Sequence, residues 1–316
     1  MIGAVDPGHD GRFAPSPTGA LHLGNLRTAL IAWLFARTAG ARFTLRVEDL
    51  DPQRSRVEHE RGQIADLRAL GIDWDCEAPR QSQRTQRYRE AIDQLRRDGR
   101  VYACWCTRAE IRAAASAPHG PLPDGAYPGT CRDLTGAQRA QRERETDRAP
   151  ALRLDARGEV ELFEDAVLGS AGGPVDDIVL QRSDATPAYN LAVIVDDADQ
   201  GVAEVVRGDD LLDTTPRQLL IARLLGLTAP RYAHVPLVLG PDGERLAKRH
   251  GAITLARLAA RGDRPERARA WMARSLGLAE EGEEPSASEL VERFDRHRLP
   301  REAAVLGPGR LAQPRS

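Results

Sequence analysis

The stretch from Gly11 to Asp51 constrains the fold more than any other part of the chain. It reads GRFAPSPTGALHLGNLRTAL and continues into FTLRVEDLD. Gly11–Ala14 is a short strand candidate, cut off by Pro15 and Pro17, because proline cannot donate to a strand ladder. From Leu23 the apolar positions Leu26, Leu30, Trp33 and Leu34 fall on one stripe, which predicts an amphipathic helix ending near Gly40. Phe43, Leu45 and Val47 then alternate with Thr44, Arg46 and Glu48, a strand with one polar face closed by Pro52. A second helix is expected over Val57–Leu70, with Gly71 as its stop. Strand, helix, strand in this order argues for a parallel sheet with crossover helices. The helix that opens at His22-Leu23-Gly24-Asn25 directs its backbone N–H groups to a strand end, a ready phosphate site. Gly19 and Gly24 allow the backbone to approach a ligand closely. The glycine-rich dinucleotide fingerprint and the P-loop are both absent, so the phosphate site is of another kind.

The rest of the chain divides by composition. Residues 1–100 read as the first half of an alternating strand-and-helix core and 101–154 as an insertion containing APHGPLPDGAYPG and the charged run QRERETDR. Residues 155–250 resume the core and 251–316 read as a short helical region with an acidic loop at Glu280–Glu284. Strands are predicted at Asp177–Arg182, Tyr189–Asp196, Gly201–Arg207 and Val235–Leu239. A helix is expected with Thr215 as N-cap and Pro216 at its first position. The last dozen residues, rich in Pro and Gly, are expected to be loosely ordered. With 41% hydrophobic and 29% charged residues, the 316-residue chain has material for a core and is not disordered. No apolar run approaches the roughly 18 residues of a membrane span. The start, MIGAVDPGHDGR, has neither the basic nor the apolar part of a secretory signal, so the cytoplasm is the expected location. A net charge of −2 argues against a protein that coats nucleic acid non-specifically.

Two scarcities are informative. Of 45 basic residues only Lys248 is a lysine, and its compact ammonium does what a planar guanidinium cannot at a phosphate. The four cysteines, Cys76, Cys104, Cys106 and Cys131, are too few for a disulfide framework. Cys104, Cys106 and Cys131 supply three thiols within 28 residues, suited to tetrahedral Zn²⁺ with His119 or Cys76 as a fourth ligand, or else to small buried side chains.

These motifs resemble those of a known family. His22-Leu23-Gly24-Asn25 is similar to the HIGH signature of class I aminoacyl-tRNA synthetases, and the preceding RFAPSPTG resembles the glutamyl-tRNA synthetase group. Arg245-Leu246-Ala247-Lys248-Arg249 resembles the partner KMSKS signature, although Arg245 and Ala247 depart from it. The likeness covers about residues 11 to 250. It implies a Rossmann-like α/β core with a parallel sheet, a small zinc-binding insertion and a short C-terminal helical region without an anticodon-binding domain. It assigns catalysis to His22, Asn25 and Lys248, and binding of ATP with Mg²⁺ to His22, Gly24, Asn25 and Lys248. Glutamate falls to Arg12, Phe13, Ala14, Pro15, Ser16, Glu48, Tyr189 and Arg207. Such a set is chemically reasonable, since arginines answer carboxylates and a carboxylate answers the ammonium.

Within that group, the glutamyl-queuosine tRNA(Asp) synthetases carry a Cys-x-Cys…Tyr-x-x-x-Cys zinc site at this location. The resemblance makes Cys104, Cys106, Tyr127 and Cys131 the ligands of one structural Zn²⁺ and leaves Cys76 outside. NLAVIVDDADQGV, after Tyr189, is closer to these enzymes than to full glutamyl-tRNA synthetases, and 67 residues follow Arg249. The implied reaction joins ATP and L-glutamate into glutamyl-adenylate, then passes glutamate to queuosine in the anticodon stem-loop of tRNA(Asp), by a monomer. The competing readings are a truncated or divergent synthetase charging tRNA(Glu), a small-molecule nucleotidyltransferase, and a non-catalytic RNA-binding paralogue.

Overall fold

The structure, a computed structural model, describes residues 7–115, 126–244 and 253–307. In chain order the first half of the core runs β1 (Gly11–Phe13), α1 (Leu23–Thr38), β2 (Phe43–Leu45), α2 (Val57–Ala69), β3 (Cys76–Glu77) and α3 (Thr85–Arg97). There follow β4 (Val101–Cys104), α4 (Arg108–Ala115), α5 (Gly136–Arg144), β5 (Ala151–Leu154), β6 (Val160–Asp165), β7 (Gly169–Pro174) and β8 (Val179–Gln181). The second half has α6 (Tyr189–Asp199), β9 (Glu204–Gly208), α7 (Thr215–Leu225), β10 (Arg231–Val235) and β11 (Val238–Leu239). The helices α8 (Leu255–Ala259), α9 (Pro265–Ser275) and α10 (Ala287–Arg293) precede β12 (Ala304–Val305).

A seven-stranded sheet has the order β3-β2-β1-β9-β10-β6-β7. Every neighbouring pair in it is parallel except β6 with β7. The order reverses direction between β1 and β9, so the crevice beyond their carboxyl ends is where such a sheet binds ligands. A separate antiparallel sheet, β4-β5-β8, takes its third strand from beyond residue 154.

Strand alternation distributes the core. Val206 on β9 and Ala233 and Val235 on β10 join α1, while Val205 and Tyr232 point to the other face, against Leu219 of α7. The α1 cluster extends into Leu255, Leu258, Trp271, Met272 and Phe294 of the C-terminal segment. As a result α1 is buried nearly all round, Arg27 included, rather than along the single stripe its spacing suggested. Arg27 is kept by hydrogen bonds from Nε to Ser275 Oγ (2.8 Å) and from Nη1 to the Pro236 carbonyl (2.8 Å).

Three local expectations need correction. Tyr189–Asp196 is the start of α6, not a strand. Leu191, Ala192, Val193, Ile194 and Val195 are all buried, and a continuous apolar run carries no period to distinguish strand from helix. The last Val235–Leu239 strand is two pieces, β10 and β11, divided at Pro236 and Leu237. Thr215 is the first residue of α7 rather than its cap, with Pro216 next to it. Gly71, by contrast, follows α2 at φ +79°, the left-handed conformation glycine adopts without strain. No described helix is long and apolar enough to cross a membrane.

Candidate active site

The loop after β1 is the first wall of the site. Its prolines lack N–H groups, and its carbonyls are held from outside. Glu48 N–H donates to the Pro15 carbonyl (3.0 Å) and Arg56 N–H to that of Pro17 (2.9 Å). Gln63 on α2 donates its amide to the carbonyls of Ser16 (3.0 Å) and Gly19 (2.7 Å). Gln63 is almost completely buried, and nothing in the local pattern of a charged helix marked it.

At the loop's end His22 caps α1. Its Nδ1 accepts from the Asn25 N–H (3.2 Å) while Asn25 Oδ1 accepts from the His22 N–H (3.2 Å), a reciprocal capping box. Burial lowers the His22 pKa, against the raising effect of Asp210. The neutral ring therefore keeps its proton on Nε2, as a donor at the positive end of a helix. Gly24 packs under this ring: a Cβ there would lie 3.1 Å from His22 Cε1 and Nδ1 and 3.6 Å from Val238 Cβ. Gly24→Ala should leave the fold intact and push His22 out of place. Pyrophosphate exchange at varied ATP is expected to show kcat/KM for ATP reduced roughly ten-fold. Unchanged kinetics would mean that the ring position does not matter.

Arg12, Phe13, Ala14, Pro15, Ser16, His22, Gly24, Asn25, Glu48, Tyr189 and Arg207 all line one cavity of about 550 Å³. These are all the expected glutamate- and ATP-binding residues that lie among the described residues. Lys248, with Arg245 and Ala247, lies outside the described residues, as does His119. Ile253 accepts a hydrogen bond at its carbonyl from the Leu23 N–H (2.8 Å), which sets Ile253 against the start of α1.

Behind Arg12 and Glu48 of the cavity wall lies a buried charge network. Arg46, on the strand leaving β2, donates from Nη1 to Asp197 Oδ1 (2.7 Å) and Gln200 Oε1 (3.0 Å), and from Nη2 to Glu48 Oε1 (3.2 Å). Burial would push Asp197 up, but Arg46 and Arg12 outweigh it and hold the carboxyl below its usual range. Glu48 behaves oppositely: burial raises its pKa and Arg46 and Arg12 only partly offset this. Arg12 makes long contacts, 3.5 Å from Nε to Asp197 and 3.4 Å from Nη1 to the Val206 carbonyl, and is thereby left with donors for a ligand. Arg207, on β9, is gripped more tightly by Thr215, Gln218 and His234. Tyr189 stands at the first turn of α6 with 38% of its surface exposed, and its phenol pKa is raised by desolvation and by Glu48. A cavity lined by Arg12, Arg207, the carboxylates Glu48 and Asp210 and a helix N-terminus suits an amino acid with an extra carboxylate beside a phosphate chain.

A second constellation sits beside the β4-β5-β8 sheet. The sulfurs of Cys104, Cys106 and Cys131 lie within 4.8 Å of one another and could hold a metal ion. Tyr127 Oη is 3.3 Å from Cys104 Sγ and 3.6 Å from Cys106 Sγ, and Cys106 and Cys131 sulfurs are 3.5 Å apart. Tetrahedral zinc with ordinary bond lengths requires S···O edges of about 3.5 Å and S···S edges of about 3.8 Å, so this donor set fits. The Cys131 N–H donates to Tyr127 Oη (2.9 Å), and the Arg153 guanidinium carbon lies 3.8 Å from the Tyr127 ring centroid. Cys76 is exposed on β3, beside Thr44, apart from this cluster.

Comparison with known proteins identifies the fold. The family described as tRNA synthetases class I (E and Q), catalytic domain, matches residues 10–306. The chain belongs to this family. Among individual relatives of this class I synthetase chain, the glutamyl-Q tRNA(Asp) synthetase of Nocardia farcinica is 58% identical, over 97% of this chain and 96% of its own length. That of Symbiobacterium thermophilum is 50% identical over 92% and 94% of the two chains. The glutamate–tRNA ligase of Oleidesulfovibrio alaskensis is 40% identical, over 95% of this chain but 64% of its own. Among solved structures, a glutamate tRNA ligase from Elizabethkingia meningosepticum in complex with its amino acid is 27% identical. It superimposes with a TM-score of 0.79 over 96% of this chain and 68% of its own. The α/β class I synthetase core is therefore that of this chain.

Proposed function

We propose that this enzyme activates L-glutamate with ATP and transfers it to queuosine in the anticodon of tRNA(Asp). The observation that carries the reading is the 58% and 50% identity to glutamyl-Q tRNA(Asp) synthetases over nearly their whole length, against 40% to a glutamate–tRNA ligase. The cavity supports the first step. Arg207 and Arg12 hold and orient carboxylate, Glu48 and Tyr189 receive the ammonium, and the His22 Nε2–H and the start of α1 meet phosphate oxygens. A glutamate α-carboxylate oxygen then attacks the α-phosphorus of ATP, the bond to the bridging oxygen breaks, and pyrophosphate leaves; Mg²⁺, when bound, would neutralise phosphate charge. The protein's contribution is positioning and charge stabilisation. Lys248 would act on the leaving phosphates. Lys248→Arg should fold normally and lose about ten- to a hundred-fold in exchange rate; unchanged turnover would remove the significance of the lone lysine.

Zinc, held by Cys104, Cys106, Tyr127 and Cys131, would serve structure by tying together a segment with little core of its own. The enzyme is read as a monomer working in the cytoplasm, where tRNA is found. Labelled glutamate should attach to tRNA(Asp) containing queuosine and not to the same tRNA lacking it. Attachment to tRNA(Glu) instead would overturn the acceptor.

A further inference from the structure

The guanidinium of Arg207 is oriented as well as buried. Nε donates to His234 Nε2 (3.1 Å), Nη1 to Gln218 Oε1 (2.9 Å) and Nη2 to Thr215 Oγ1 (2.7 Å), which occupies three of five N–H donors. The polarity of two acceptors is set from behind. His234 is fully buried, and its Nδ1 lies 2.6 Å from Asp165 Oδ2, which also accepts the His234 N–H. Asp165, at the end of β6, accepts as well from the N–H groups of Val167 and Leu168. Burial raises the Asp165 pKa, but these bonds outweigh it, so the carboxyl is ionised and only accepts. The imidazole proton therefore sits on Nδ1, and Nε2 is an acceptor facing Arg207. Gln218 is fixed similarly, because its Nε2 donates to Asn190 Oδ1 (3.0 Å) and its oxygen must face the arginine. His234, Asp165, Thr215 and Gln218 do not line the cavity.

We propose that His234, held in its Nδ1–H tautomer by Asp165, is a positioning residue that aims the Arg207 fork and sets selectivity for glutamate over glutamine. This rests on reading the cavity as the glutamate site. With three donors occupied by acceptors, two N–H groups remain for the ligand. A carboxylate accepts both, whereas an amide turns one of its own donors toward them and leaves a buried donor unpaired.

Two substitutions separate this role from a structural one. In His234→Asn the amide nitrogen takes the place of Nδ1 and still donates to Asp165, but nothing reaches Arg207. In His234→Gln the longer amide restores an acceptor where Nε2 was. Glutamate-dependent pyrophosphate exchange should show glutamate KM raised roughly ten- to a hundred-fold in His234→Asn. The KM for ATP should stay within about twofold, with the glutamate-to-glutamine preference reduced, and His234→Gln should recover much of the loss. A structural role gives the opposite order, since His234→Asn keeps the Asp165 bond, or shifts both substrates alike; either result overturns the proposal. Should His234→Asn not fold, Gln218→Met removes the opposite acceptor at nearly constant volume and must raise glutamate KM alone, and wild-type values would overturn it. Wild-type protein that activates no glutamate would instead overturn the reading of the cavity, and this inference with it.

Discussion

Replacing Arg207 with alanine is expected to raise the KM for glutamate about 10²- to 10³-fold while leaving the KM for ATP within about twofold. Two effects add. The ligand carboxylate loses a charge-assisted, forked partner in a site shielded from water. Behind it, the Gln218 oxygen keeps facing an empty position, while His234 Nε2 and Thr215 Oγ1 retain only each other (3.1 Å), and a buried polar atom left unpaired is expensive. Truncating one partner of such a buried pair typically costs 2–5 kcal/mol or more, about the range quoted as a ratio. Exchange kinetics with each substrate varied in turn would check this. An equal loss for glutamate and ATP would place Arg207 in the general fold of the crevice, and no loss would place the carboxylate elsewhere.

The second large effect is predicted for Cys104→Ser. Zinc content measured by atomic absorption should fall from one ion per chain to none, because a hydroxyl does not replace a thiolate in such a site. The local structure should loosen with it. The core of this segment is small: Tyr102, Cys104, Tyr127 and Cys131 are buried, with Trp105, Cys106, Ile111 and Leu134 packed beside them. A unit of that size would depend on a bound metal, because metal-binding free energy in such a site is folding free energy. Hydrogen exchange should therefore accelerate in β4 and β5 and stay unchanged in α1. Full zinc content in the variant would sink the assignment.

The sequence made part of this architecture legible and left a different part opaque, for physical reasons. The β1-loop-α1-β2 unit was readable because its signals are local: prolines that stop a strand, a cap that starts a helix, a period of two in Phe43, Leu45 and Val47. Motif resemblance named residues as distant as Arg12 and Arg207, and the fold places them on the walls of one cavity. Residues that work through others left no signal. Gln63 holds the proline loop from the middle of α2, and His234 reaches Arg207 only through β9–β10 pairing. The β6–β7 hairpin went unread because GSAGGP looks like a linker; its strand partner supplies the pattern that its own side chains lack. Tyr189–Asp196 was misread for the opposite reason, an excess of apolar residues that serves a helix buried on several sides as well as a buried strand.

Whether this chain activates glutamate by itself is tested most directly by exchange of labelled pyrophosphate into ATP with glutamate and no tRNA. By resemblance, synthetases that charge tRNA(Glu) need their tRNA for this step, whereas the queuosine enzymes do not. Exchange is expected with glutamate alone, undiminished when tRNA is withheld and absent with glutamine. Exchange that appears only after tRNA(Glu) is added, or none under either condition, would contradict the proposed function.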